Sequence, residues 1–324
     1  MRTTILRVVG LLTASIVLVA GGSAWGQAYP AKPVRLIIGG LPGTAPDIIA
    51  RIVGPSISES MGQSLILDNR GGGAGLLSAQ ITAAAAPDGY TFLIVGGGSL
   101  VIVPYLTKKP PYDPVGDFTP VTLVSLAPLV LAANLALPVK TVQELISLSK
   151  AKPKDLLYGT PGVGSIHHLT VEMLNRAANI NLMHVPYKGG PPAVIDTIAG
   201  RVQLVITTVI PLSPHLKAAR LRGLAVTSAK RTSVFPDLPT IAESGIRDFG
   251  VSSWGSMIAP AKLPSEIVQR VNRSMVEAFA KPELFAKAKA TLLKPLTSTP
   301  AEAHQLVATQ LSRWKDVVER AKIK

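Results

Sequence analysis

Apolar positions along this chain fall into two alternating patterns. Short, mostly apolar runs at residues 34–38, 91–95, 202–206 and 224–226 have the length and β-branched content of strands buried on both faces. Between them lie longer stretches whose apolar residues recur three or four apart, the spacing of helices that bury one side. This alternation predicts βαβ units around a mostly parallel sheet, an α/β fold. Helix starts are marked by Thr141-x-x-Glu144 before Val142, Leu145, Ile146 and Leu148, and by Thr44-x-x-Asp47 before Ile48, Ile49, Ile52 and Val53; both have the form of a capping box. Gly62 is expected to end the helix that follows Thr44, and Pro55 to kink, split or shorten it. From Pro264 onward the pattern is helical with breaks at Pro282 and Pro295. The last helix, residues 300–321, buries Leu306, Val307, Leu311, Trp314 and Val317.

One apolar stretch stands apart. Residues 121–133 are interrupted only by Pro128, which is long enough to serve two lobes, and a chain of 324 residues with 47% hydrophobic content can bury two cores. The expected division is a first lobe of residues 27–124 plus 228–324 and a second of residues 125–227, with crossings near residues 123–132 and 224–228.

Four places read as a strand entering a Gly- or Pro-punctuated turn and then a helix: residues 36–47, 92–100, 157–168 and 183–193. In an α/β sheet such turns gather at the carboxyl ends of the strands, where backbone N–H groups and helix N-termini hold small anions. The turns consist chiefly of Gly, Pro, Ser and Thr, which bind and do not shuttle protons. Ser165 and His168 can face one side of a helix, but no G-x-S-x-G elbow and no orienting acid accompany them, so a hydrolase is the lesser alternative to a receptor. His167 and His184 have no acid or His at ligand spacing, so no metal site is expected, and the absence of Cys excludes nucleophilic thiols and Cys-ligated metals. Trp254 reads as core or pocket wall. The glycines from Gly71 to Gly75 lack the Lys-Ser/Thr of a nucleotide loop.

The start of the chain adds a location. Arg2 and Arg7 flank an apolar run at residues 8–20, followed by small residues, the form of a secretory signal peptide cleaved near Gly26 to Ala28. Loss of residues 1–26 takes the net charge from +14 to +12, a field that draws anions. The basic residues are scattered, and aromatics are only 5% of the chain, which argues against a nucleic-acid groove.

A family resemblance is carried by nine motifs in order. They are YPAKPVRLII; Pro42-Gly43 with Asp47, Ala50 and Arg51; Asp68-Asn69-Arg70 with its Gly run; Ala86-Pro87-Asp88-Gly89-Tyr90-Thr91; Tyr112-Asp113-Pro114 with Asp117-Phe118; Gly164-Ser165 with His168-Leu169; residues 184–189 (HVPYKG); residues 224–228 (LAVTS); and residues 235–240 (FPDLPT). Together they resemble the Bug family, the TctC-type periplasmic solute receptors of tripartite tricarboxylate transporters. The resemblance implies a two-lobed type II periplasmic-binding-protein fold that closes over a small carboxylate, no cofactor, a monomer in the periplasm, and membrane transporter subunits as partners. It implies a first ligand loop of Leu41, Pro42, Gly43, Thr44, Ala45 and Asp47, with Ser99 beyond the next strand. Gly162, Gly164, Ser165 and His168 are implied as the second lobe's anion-binding turn, closed by Tyr187, Lys188, Gly189, Thr207 and Thr208. Thr44, Pro46 and Thr207 depart from the family's usual Gly, Thr and Asp, and together these departures favour a ligand without an ammonium, such as a dicarboxylate or aromatic acid, over an amino acid. A sensory receptor on the same fold is the alternative output.

Overall fold

The computed structural model describes residues 29–71, 75–106 and 109–321. The signal-peptide reading therefore lies outside the described residues. The strands are β1 (Val34–Ile38), β2 (Leu65–Asn69), β3 (Thr91–Gly96), β4 (Phe118–Ala133), β5 (Leu157–Thr160), β6 (Met183–Pro186), β7 (Leu204–Thr208), β8 (Arg222–Val226), β9 (Ser252–Pro260) and β10 (Lys294–Pro295). The helices are α1 (Ala45–Met61), α2 (Leu76–Ala83), α3 (Gly97–Val101), α4 (Val142–Ala151), α5 (Ile166–Ala178), α6 (Gly190–Ile198), α7 (Val209–Lys217), α8 (Ser265–Ala280), α9 (Pro282–Ala290) and α10 (Pro300–Ala321).

The long apolar stretch forms a 16-residue strand, β4, that two sheets share. Its first part pairs antiparallel with β9, from Phe118↔Pro260 to Pro128↔Ser252, beside the parallel set β2-β1-β3. Its last five residues, from Leu129 to Ala133, pair antiparallel with β7, beside the parallel set β5 and β6, while β8 lies along the other edge. Both faces are covered, so nearly every residue of β4 is buried. One core joins β1, α1, β9 and α8, and another gathers α6, α7, β7 and β8. A third runs from Ile37 through Leu131 and Leu174 to Trp314, so α10 packs against elements of both sheets.

Four expectations need correction, the last of them at a helix cap. Pro55 does not break α1: it lies at an exposed position of one continuous 17-residue helix, where its ring points to solvent and its missing N–H costs a bond on the wet side only. Gly62 does cap that helix, at φ 71. The run at residues 202–206 is shifted, the strand being Leu204–Thr208. The chain also does not return to the first sheet at Ser228. Residues 229–250 stay with the second sheet through the Val226↔Thr240 bridge, Leu238 against Gly223, and a 2.7 Å bond from Gln143 Nε2 of α4 to the Ser244 carbonyl. The return comes at Val251, whose N–H donates to the Thr227 carbonyl (2.8 Å), while the Thr227 N–H donates to the Leu129 carbonyl (3.0 Å).

The capping box at Thr141 is formed, with the Glu144 N–H donating to Thr141 Oγ1 at 3.1 Å. The one at Thr44 is not. Its hydroxyl instead donates to the Leu41 carbonyl (2.6 Å), and Asp47 reaches back past it to the N–H of Gly43 (2.9 Å).

Candidate functional site

Six strands run directly into helices: β1 into α1, β2 into α2, β3 into α3, β5 into α5, β6 into α6 and β7 into α7. The N-cap residues of those helices are Thr44, Gly75, Gly96, Ser165, Gly189 and Thr208, and all of them line one cleft of about 760 Å³ between the two sheets. Each helix N-terminus carries a partial positive charge and unbonded N–H groups, so the cleft is a convergence of anion-seeking ends. Among the described residues that line it there is no carboxylate, and Lys188, at an exposed position, is the one ionised cation.

Of the residues implied by resemblance, Leu41, Gly43, Thr44, Ala45, Ser99, Gly162, Ser165, Tyr187, Lys188, Gly189, Thr207 and Thr208 line the cleft; Pro42, Asp47, Gly164 and His168 do not. The second group stands behind the first. Asp47 is buried. Its carboxylate accepts from the Gly43 N–H (2.9 Å), Arg51 Nε (2.9 Å) and Asn69 Nδ2 (3.0 Å), and Asn69 Nδ2 also donates to the Gly40 carbonyl (3.2 Å). Burial alone would raise its pKa, but these donors hold it below the ordinary carboxylate value. Asp47 is thus the clamp that shapes the loop. Gly43, at φ 81, supplies a turn that a side chain would strain.

On the opposite side the turn before α5 is held by neutral groups. The Gly164 N–H donates to His168 Nδ1 (3.2 Å), which places the ring proton on Nε2. The rings of His168 and His184 stack at 3.8 Å between centroids and 14° between planes, and His184 Nε2 lies 2.7 Å from Thr160 Oγ1. Burial pushes the two imidazoles down to about 4 and about 3, the pair's mutual repulsion adding to the effect at His184, so both are uncharged at neutral pH. Ser165 Oγ donates to the Gly162 carbonyl (2.8 Å) and accepts from the His168 N–H (3.3 Å). Its proton is therefore spent on the turn, which makes Ser165 a brace. No acceptor among the described residues takes the N–H groups of Val163, Ile166 and His167 on this side or of Gly40, Leu41 and Ala45 on the other.

Residue-type reasoning missed much of the wall, because it is backbone. Gly39, Gly40, Gly96, Gly98 and Gly190 line the cleft, as do His167 and Ser253. The signal available was a glycine just beyond a strand end. A Cβ on Gly98 would stand 3.2 Å from the Ile166 nitrogen, and one on Gly189 would meet Leu41 Cδ1 at 3.7 Å, so these glycines let the two sides approach. Trp254 is buried beside Gly97 and does not line the cleft. Tyr187 does, and its hydroxyl donates to Asp196 (2.9 Å); burial and that carboxylate push its pKa up to about 12.

A profile of the TctC family, described as "Tripartite tricarboxylate transporter family receptor", matches residues 49–323. The chain belongs to the tripartite tricarboxylate transporter receptor family. Protein BugT of Bordetella pertussis is 33% identical over 328 residues, spanning 99% of each chain. The solved structure described as "R. palustris Rpa4515 with adipate" superposes with a TM-score of 0.85 at 34% identity, over 91% of this chain and 98% of that one. The periplasmic binding protein BugD gives 0.84 at 30%, over 91% and 99%. MatC from Rhodopseudomonas palustris "with bound malate" gives 0.82 at 28%, over 90% and 100%. The fold is thus the α/β fold of periplasmic binding proteins, and the family and these neighbours are solute-binding receptors.

Proposed function

We propose that this protein is a periplasmic receptor for a small carboxylate, a dicarboxylate or aromatic acid in preference to an amino acid, which it delivers to the membrane subunits of a tripartite tricarboxylate-type transporter. The observation that carries the reading is the convergence of six helix N-termini on a cleft with no carboxylate among its described lining residues. Such a cleft favours negative charge and offers an ammonium no counter-charge among its described lining residues. Micromolar binding needs about 8 kcal/mol, and a hydrogen bond to a charged group contributes about 1.5–3 kcal/mol, so several donors must act together. The free N–H groups on both sides, the hydroxyls of Thr207 and Thr208 and the charge of Lys188 are suited to that task. The adipate- and malate-bound relatives make carboxylates the natural first probes.

The ligand is gripped by closure of two lobes. The first is residues 29–128 with 251–321, the second residues 129–250, and the crossings are where Leu129, Thr227 and Val251 are tied together. A ligand that bonds to both sides is fully bound only when the lobes meet, and its differential affinity shifts the protein to the closed form. Export follows from the signal peptide at residues 1–26. Isothermal titration with mono-, di- and aromatic carboxylates and with amino acids tests the specificity, and small-angle scattering tests the closure. Expected are binding of a carboxylate without an ammonium and a smaller radius of gyration at saturation. Tighter binding of an amino acid than of any such acid, or recovery of a chemically altered ligand, would overturn the reading.

A further inference from the structure

Among the described residues that line the cleft, His167 is the one whose side-chain nitrogens are buried without a hydrogen-bond partner. It lines the cleft in the first turn of α5, two residues after the N-cap Ser165. Part of the residue is open to the cleft, yet both ring nitrogens are buried and neither has a hydrogen-bond partner. Burial pushes the imidazole down to about 4, so at neutral pH it is uncharged and carries one N–H donor and one lone pair. Buried polar groups in folded proteins are nearly always bonded, and one left unpaired in a residue that lines a binding cleft points to a group brought by the ligand. Its neighbours His168 and His184 are satisfied by Gly164 and Thr160, so the orphan state is particular to His167.

The group it would meet follows from the surroundings. The N–H groups of Ile166 and His167 have no acceptor among the described residues, because the first turn of a helix has none to offer. The ring of His167 belongs to that same first turn and adds a third unpaired donor to the two of the backbone. A donor cluster at a helix N-terminus takes an acceptor-only, negatively charged group. On the opposite side, the N–H groups of Gly40, Leu41 and Ala45 likewise have no acceptor among the described residues, so one carboxylate at each end accounts for both sets.

We infer that His167 is the specificity-determining residue of this receptor: its ring N–H binds the second carboxylate of a dicarboxylate and thereby discriminates against monocarboxylates of the same length. This rests on reading the cleft as a carboxylate site. The purified protein, His167→Leu and His167→Gln are to be titrated calorimetrically with linear dicarboxylates of four to eight carbons, with terephthalate, and with the matching monocarboxylates. In the unmodified protein at least one diacid should bind roughly ten- to a hundred-fold tighter than its monoacid, the factor expected of one hydrogen bond to a carboxylate. His167→Leu should lower that ratio roughly ten-fold or more by weakening the diacid alone, and His167→Gln, which keeps an N–H, should retain most of it. Thermal melting of each variant reports the fold, and the Gln variant answers the question if the Leu variant fails to fold. An unchanged ratio in His167→Leu, or equal binding of mono- and diacids by the unmodified protein, would overturn the role of His167 and leave the carboxylate site standing. Binding of no acid at all by the folded protein would overturn both.

Discussion

The two sides of the cleft solve one problem by different means. Each must hold a turn open so that backbone N–H groups face a ligand instead of closing on the chain. The β1–α1 loop is held by a charge: the buried Asp47 carboxylate, gripped by Arg51, Asn69 and the Gly43 N–H. The β5–α5 turn is held by uncharged groups, the stacked imidazoles of His168 and His184 with Thr160 and Ser165. A carboxylate beside an anion site would repel the ligand if it faced the cleft, and Asp47 is tolerated because its charge is spent behind the loop. The lesson is that a ligand-loop residue singled out from sequence can be a brace of the loop, with the donors supplied by its neighbours.

The largest effect is expected from Asp47→Ala. It leaves the Gly43 N–H and Asn69 without their shared acceptor and should cost about 3 kcal/mol of stability in chemical denaturation, together with loss of ligand binding. A stability unchanged within error would show that Arg51 and Asn69 hold the loop without the carboxylate. His168→Ala follows, at about 2 kcal/mol, through the lost stack and the orphaned Gly164 N–H; His168→Phe, which keeps a ring against His184, should cost less than His168→Ala.

A pH titration separates the two braces. In the folded protein His168 and His184 sit at about 4 and about 3, below the ordinary value of 6.5, so the unfolded chain binds more protons between those limits. Their contribution is fully present above pH 6.5 and is lost as pH falls toward 4. The carboxylate of Asp47 is also depressed, but from 3.8, so its contribution is intact above that value and is lost only below it. Between pH 6.5 and 4.5 hydrogen exchange, corrected for its intrinsic pH dependence, should quicken at Gly164 while Gly43 stays protected. Equal loss of protection at both would mean the turns are not independently braced. The smallest effect is expected at Ser165→Ala, about 1 kcal/mol of stability as for loss of a helix cap, with ligand affinity changing less than for Thr207→Ala, whose hydroxyl is uncommitted.

Much of this fold is legible along the chain, for local reasons. Strand β4 announced itself as an apolar run too long for one sheet, the Thr141 cap and Gly62 stop follow from backbone bonding, and five of the six strand–helix turns carry Gly or Pro at the bend. The β7–α7 junction carries no such mark, since Thr207-Thr208 passes into a helix without a glycine, and the Gly71 to Gly75 run resembles a phosphate loop too loosely to mark a cleft turn by itself. Apolar spacing and turn chemistry are properties of neighbouring residues, so they survive without the tertiary structure. What only the tertiary structure decided is direction and partnership. It turned Asp47 inward to Asn69, 22 positions away, stacked His168 on His184, kept residues 229–250 with the second sheet, and left the nitrogens of His167 unpaired at the cleft. Those outcomes depend on which strands lie side by side, and no local pattern encodes which face of a turn will meet an element brought in from elsewhere in the chain.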